Sequence, residues 1–263
     1  MNTLTYGFPT FSLTLVITLV TDGRELDENE VNGEIYRFYK NLYAKGVTTR
    51  NEEWTETFES LPKIDRTDME MLAAPITGNE LYKTCFKQLK CGKSPGNDGL
   101  TVRFYRKFWK LLYPHMLRSL KDGIAAGTLS STQRQSIVRL IKKKDKDPTQ
   151  IKNWRPISLI NVDTKILSRA LTTRIRKILP KVIGEEQLGF MDHRNIAEGN
   201  RLIEYIIEDT DKKGNKAVVA TFDLAKAFDT VDHGYLATVL SNYGIPEEFI
   251  SKIKAFIIEQ NLR

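Results

Sequence analysis

Near its C-terminal end the chain carries Val218-Val219-Ala220-Thr221-Phe222, an unbroken apolar and β-branched run that finishes on Asp223. Such a run reads as a buried strand. It delivers the Asp223 carboxylate at its end, where backbone regularity breaks and side chains become reachable. A helix pattern follows from about Asp232 to Tyr243, with Gly244 placed to stop it and Pro246 just beyond. A carboxylate at the C-terminal edge of a strand is a common way to hold a divalent metal near phosphates. The same residue type at the same place also caps helices and turns, and the local pattern leaves both roles open.

The distribution of charge narrows the partners. Residues 21–80 hold 7 basic and 14 acidic side chains, residues 81–183 hold 24 and 5, and residues 184–263 hold 9 and 14. The middle segment is therefore a candidate for binding a polyanion, flanked by acidic neighbours. The two cysteines, Cys85 and Cys91, form neither a disulfide framework nor a zinc pattern. Residues 1–21 carry no charge, and seven of them are Thr or Ser. That composition suits a strand or a disordered start better than a membrane span or a signal peptide, which would open on basic residues. No stable membrane association is expected.

Along the chain, residues 22–45 read as a helix with Val31, Ile35, Phe38, Tyr39, Leu42 and Tyr43 on one stripe. Residues 46–75 are polar and irregular, a connector. Thr77 and Glu80 have the spacing of a capping box, and Ile76 and Leu81 that of a hydrophobic staple, so a helix is predicted to start there and run to about Leu89. Lys90 to Gly99 is a shaped loop whose backbone N–H groups, with Lys90 and Lys93, could meet a phosphate chain; a plain turn with solvated lysines fits equally well. The next helix places Phe104, Tyr105, Phe108, Leu111 and Leu112 on a core face with basic residues outside, and a second helix reaches about Ala126 before Gly127. Ser136 to Lys144 and Trp154 to Ile160 read as a hairpin that would present Lys143 and Arg155, a point charge and a bidentate fork suited to a triphosphate, or else a charged hairpin in solvent. From Asp163 to Leu179 an apolar helical face is backed by a second stripe of Lys165, Arg169 and Arg176, which could track a nucleic-acid backbone or be solvated; Pro180 and Gly184 are placed to end it. A turn at Gln187-Leu188-Gly189-Phe190 precedes another helix, about Ile196 to Asp209.

Six of these segments, in this order, resemble the reverse transcriptases of non-LTR (LINE-type) retrotransposons: Lys93 to Gly99, Leu140 to Lys143, Asn153 to Leu159, Asn161 to Leu167, Gln187 to Phe190 and Phe222 to Asp229. Phe38 to Tyr43 also looks like the family's region ahead of the polymerase. The resemblance implies an α+β, right-hand polymerase fold: helix-rich fingers with a β-hairpin, plus the first strand and helix of the palm. It divides the chain into an unassigned segment 1–21, a helical extension and connector 22–75, fingers 76–216 and the start of the palm 217–263. By the same resemblance Asp223 matches the first metal-binding carboxylate and Leu224 offers a carbonyl to the metal. Phe228 matches the bulky residue beneath the incoming sugar, and Lys143 and Arg155 match the residues that grip the dNTP. Lys90, Lys93, Gly96, Lys165, Arg169, Arg176, Gln187, Gly189, Phe190 and Arg194 become candidates for nucleic-acid contact. The expected partners are an RNA template, a DNA primer and dNTPs, and the expected cofactor is Mg²⁺. A cytoplasmic or nuclear setting is expected for a retroelement protein.

The family pattern also calls for two further carboxylates in an aromatic-Ala-Asp-Asp hairpin, and no such segment occurs in these 263 residues. Two metal ions about 3.5–4 Å apart need more carboxylate oxygens than one aspartate supplies. Asp229 and Asp232 better fit capping roles at the start of the following helix. The expectation is a fingers-and-first-palm fragment that does not polymerise by itself. A non-catalytic RNA-binding remnant is the alternative, and an unstable product with an exposed edge near Val218 to Phe222 is a third reading.

Overall fold

A computed structural model of the chain describes residues 18–21, 23–43, 58–216, 218–224 and 226–257. The uncharged N-terminal segment, read as a strand or a disordered start, lies mostly outside them. Two compact units emerge, one built from residues up to 44 with 139–157, the other from 45–138 with 158–263. Among the described residues no helix is long and apolar enough to cross a membrane.

In the first unit, β1 (Val20–Thr21) and β2 (Arg24–Glu25) pair antiparallel, Val20 opposite Glu25. Helix α1 (Glu28–Leu42) follows. Its start is fixed reciprocally: the Glu30 N–H donates to Asp27 Oδ1 at 2.9 Å and the Asp27 N–H to Glu30 Oε2 at 3.0 Å, which satisfies two donors a helix start leaves unpaired. The anticipated stripe is present, with Val31 and Tyr39 buried and Tyr43 exposed but stacked on Tyr39. The same unit holds the tip of a hairpin formed by β3 (Ser136–Lys142) and β4 (Trp154–Ile160). Trp154 is buried there and its indole N–H reaches the Pro148 carbonyl at 2.8 Å, while the Val20 N–H donates to the Thr149 carbonyl at 3.0 Å.

The second unit is helical. Helix α2 (Arg66–Ala73) is followed by α3 (Gly78–Lys83), which continues as a π-helical turn, Thr84–Gln88. Then come α4 (Val102–Lys107), α5 (Trp109–Ala125), α6 (Val162–Ile175), the short α7 (Leu179–Val182), α8 (Ile196–Lys212), α9 (His233–Asn242) and α10 (Glu247–Ile257). Helix α6 supplies the centre of the core: Ile166 and Leu167 are fully enclosed, with Ala170 and Leu171 beside them and Leu72, Leu81, Ile178, Phe249 and Ile250 around. The Thr77–Glu80 capping box is formed, and Gly127 and Gly244 take positive φ after α5 and α9, as residues without Cβ do at a helix end.

Several expectations are corrected. The 46–75 connector contains α2, started by Asp65, whose side chain accepts from the Asp68 N–H, and anchored by buried Leu72. The aromatic helix breaks at Phe108, which rotates the following turn and leaves Leu111 66% exposed instead of in the core. Pro180 opens α7 rather than ending α6: as an early helical residue it has no N–H to leave unpaired. Helix α10 was not anticipated, yet it brings Phe249 and Ile250 into the core.

The largest correction concerns the run at 218–222, expected to be a buried strand. Residues 218–224 form no strand, and Val218 and Phe222 are each 93% exposed. Among the described residues the only sheets are β1–β2 and β3–β4. The run pairs with neither sheet, and its side chains stay in solvent. Helix α8 shows the same feature, since none of its residues is buried and Leu202, Ile203, Ile206 and Ile207 all face outward.

Candidate nucleic-acid interface

The loop from Lys90 to Gly99 is held against the start of α6 by a set of short polar contacts. Asn161 sits at the position of an N-cap, but its side chain does not cap the helix. Instead its amide N–H donates to the Thr132 carbonyl at 2.9 Å, and its Oδ1 accepts from the Asp98 N–H at 3.3 Å. The Lys165 ammonium donates to the Ser94 carbonyl at 3.3 Å, and Asn97 bonds Gln135 at 3.0 Å. Gly96 lies so close beneath this clamp that a Cβ there would stand 2.5 Å from Asn161 N and 2.6 Å from Ile160 C. Glycine is therefore required at 96 by close approach, whereas Gly92 and Gly99 have positive φ. Within this frame Lys90 and Lys93 point into solvent.

At the foot of the loop, Asp98 faces the half-buried side chains of Asp163 and Lys165. Burial pushes the Asp98 carboxyl above its usual range, the Leu100 N–H opposes this, and the nearby Asp163 adds to the rise. Burial lowers the Lys165 ammonium, with Asp98 pulling the other way. Buried Gln133 accepts from Ser119 and Ser130 and donates to Asp163 Oδ2 at 3.0 Å. Lys165 thus acts as a tether of the loop, a role its place on a basic stripe did not announce. Arg169 bonds Gln88 at 3.2 Å and Arg176 pairs with Asp192, so both basic side chains have partners on the protein.

The 187–194 turn is stapled by Arg194, which donates to the carbonyls of Ile183 at 3.0 Å, Gln187 at 2.9 Å and Gly184. Gln187 bonds the Gly189 carbonyl at 3.0 Å, and Phe190 takes a positive φ. Phe190 meets Phe228 edge to face, with centroids 6.0 Å apart, so the turn and the segment after Asp223 are brought together. Phe228 nevertheless remains 83% exposed. Asp223 and Leu224 are exposed, and among the described residues no three metal-ligating side chains cluster. The described residues do not themselves compose a two-metal site. Asp232 caps α9, accepting from the Tyr235 N–H at 2.7 Å, as its position suggested.

In the other unit, Lys143 and Arg155 flank the hairpin: the Lys143 N–H pairs with the Asn153 carbonyl at 2.9 Å, its ammonium reaches the Lys152 carbonyl at 3.0 Å, and Arg155 stands exposed on β4.

Sequence reasoning missed Asn161, Gln133 and two buried cations, Arg174 and Lys252. Asn161 and Gln133 carry no pattern beyond a polar residue between apolar runs. Arg174 and Lys252 sit where the apolar stripe of their helices would continue, and that position was the available signal.

Residues 141–262 match the family model described as "Reverse transcriptase (RNA-dependent DNA polymerase)". The chain is 32% identical over 234 residues to the "Transposon TX1 uncharacterized 149 kDa protein" of Xenopus laevis, an alignment covering 89% of this chain and 18% of that protein. It is 26% identical over 184 residues to the "RNA-directed DNA polymerase from mobile element jockey" of Drosophila melanogaster, covering 69% and 20%. With the "Probable RNA-directed DNA polymerase from transposon BS" of the same species it shares 25% over 254 residues, covering 89% and 26%. The chain spans about a fifth of the length of such relatives. The ordered motifs, the family match and these retrotransposon relatives converge: the chain belongs to the reverse transcriptases of non-LTR, LINE-type retrotransposons.

Proposed function

We propose that this chain supplies the template-holding and nucleotide-gripping part of an RNA-directed DNA polymerase, with RNA template, DNA primer and dNTPs as substrates and Mg²⁺ as the metal of the complete enzyme. The observation that carries this reading is the clamped loop. Gly96, Asn161 and Lys165 fix the backbone from Ser94 to Asp98, so that Lys90 and Lys93 are offered to a phosphate chain from a shaped support. Shape fixed before binding lowers the ordering cost of each phosphate contact. Lys143 and Arg155 are assigned to the triphosphate, Phe228 to the sugar, and Asp223 with the Leu224 carbonyl to a metal ion. Asp223 is one carboxylate of the several a two-metal site needs, and no catalytic step is assigned to the 263-residue chain alone.

The test is primer extension on an RNA template with Mg²⁺ and dNTPs, together with RNA binding at several salt concentrations, for the chain and its Asp223→Ala variant. The expected result is RNA binding that weakens steeply with salt, survives the substitution, and produces no extended primer. Extension that disappears in Asp223→Ala would overturn the assignment of inactivity to the isolated chain. Binding indifferent to salt would overturn the nucleic-acid reading itself.

A further inference from the structure

Helix α5 carries a row of cations that the motifs above do not use. From Trp109 to Ala125 the buried residues are Trp109, Met116, Leu120 and Gly123. At 100° per residue these share one side, and Lys110, Pro114, Arg118 and Lys121 line up along another, all exposed. At 1.5 Å of rise per residue, Lys110 and Lys121 lie about 16 Å apart along the axis with Arg118 between them.

The row is set apart by its alignment, three cations of one sign along one helix face. Some exposed cations of this unit find carboxylates, as Lys181 does with Asp65 and Asp68 and Lys213 with Asp209, whereas Lys83, Arg103 and Arg201, like the row, make no ion pair among the described residues. Among the described residues Lys110, Arg118 and Lys121 make no ion pair. Asp122, the helix's one acidic residue, stands one turn from Arg118 and makes no ion pair either, so the face keeps a net positive charge. Arg118 and Lys121, one turn apart, lie within a Debye length of each other and repel at physiological salt, while Lys110 extends the positive face by about 12 Å. A polyanion threaded along the row relieves that repulsion and releases its own condensed counterions.

We infer that this face of α5 is a second contact surface for the phosphate backbone of an RNA strand, separate from the loop at 90–99. The inference rests on the nucleic-acid reading above and adds a surface which that reading does not contain. Contact at the row is to phosphates alone, so it contributes affinity and positioning without base preference.

The experiment measures binding of a fluorescent single-stranded RNA to the full chain across salt concentrations, for three proteins: wild type, Lys110→Gln/Arg118→Gln/Lys121→Gln, and Lys90→Gln/Lys93→Gln. Loss of three phosphate contacts flattens the slope of log affinity against log salt by about 2, since each costs about 0.7 for a single strand. Affinity at low salt falls at least tenfold, while the melting temperature holds because all three side chains are exposed. The loop variant should flatten the slope independently, by about 1.4 for two contacts. A row variant with wild-type slope beside a flattened loop variant would overturn the second surface and leave the first intact. Wild-type slopes in both variants would overturn the nucleic-acid reading and the row with it. A row variant weakened for single-stranded DNA but unchanged for RNA would overturn the assignment to RNA.

Discussion

Replacing Arg174 with methionine would test the polar node at the centre of the helical unit. Arg174 is 5% exposed on α6 and reaches Glu80 through two bonds, Nε to Oε1 at 2.6 Å and a terminal nitrogen to Oε2 at 2.8 Å. The same guanidinium donates to the carbonyls of Leu72 at 3.4 Å, Pro75 at 2.7 Å and Ala74, at and just past the end of α2, where a helix leaves carbonyls unpaired. Burial pushes the Glu80 carboxyl upward, but the bonds from Arg174 and from the Thr77 N–H and hydroxyl outweigh it and hold the group at about 2, against an ordinary 4.5. By linkage that difference is worth about 3 kcal/mol, and because the carboxylate keeps solvent contact roughly 1–2 kcal/mol survives screening. Removing the cation also strips donors from carbonyls at the end of a buried helix, and breaking such a pair from one side costs about 3–5 kcal/mol. Lys252 moderates the loss. Its ammonium already donates to the carbonyls of Leu72, Ala73 and Ala74 at 3.2, 2.9 and 3.0 Å. Burial first, and then the neighbouring Arg174 charge, lower its pKa. Removing Arg174 relieves that second effect, so the expected cost lies at the lower end, about 3 kcal/mol. Glu80→Gln alone should cost about 1–2 kcal/mol, and the double variant should fall short of the sum by about 1–2 kcal/mol. Urea unfolding of the three variants reads these values. An additive double variant, or an Arg174→Met cost below about 1 kcal/mol, would refute the node as a coupled support.

Four further outcomes follow from the same structure. The folded-state depression of Glu80 means its contribution is present above about pH 4.5 and is lost as pH falls toward about 2, so urea midpoints should decline across that window and decline less in Glu80→Gln. Gly96→Ala forces the loop off the backbone of Ile160 and Asn161, and should cost about 1–3 kcal/mol and weaken RNA binding severalfold; unchanged binding would detach the loop from the interface. Phe249→Ala empties a fully enclosed site between α10 and its neighbours, and thermal melts should show a loss of about 3–5 kcal/mol. Ile203→Lys/Ile207→Lys on α8 should leave stability within about 0.5 kcal/mol and reduce binding of an apolar dye, because both side chains already face solvent.

What the sequence made legible was whatever a short stretch decides for itself. Thr77 and Glu80 are three residues apart, and their reciprocal bonds need nothing from elsewhere in the chain, so the helix start could be read and is found. The same holds for the stop at Gly244, for Asp232 as a cap, and for the apolar face of α6, whose period shows in 14 residues. Arg174 escaped because its burial is decided by residues about a hundred positions away, the carbonyls of Leu72 to Pro75, which no local pattern announces. Asn161 escaped for a related reason: its place before a helix says cap, and only the arrival of Thr132 and Asp98 converts it into a clamp. The run at 218–222 failed in the opposite sense. Its composition does favour a strand, but a strand is a property of a pair, and propensity of about 1 kcal/mol across the whole scale cannot replace the ladder bonds a neighbour supplies. A segment with strand composition that pairs with no strand stays open, and α8, with no residue buried, likewise keeps its apolar side chains outward. The candidate interface divides along that line. Its loop is complete, because Gly96, Asn161 and Lys165 lie within the unit that shapes it, whereas Asp223 stands exposed on a segment that no described strand joins.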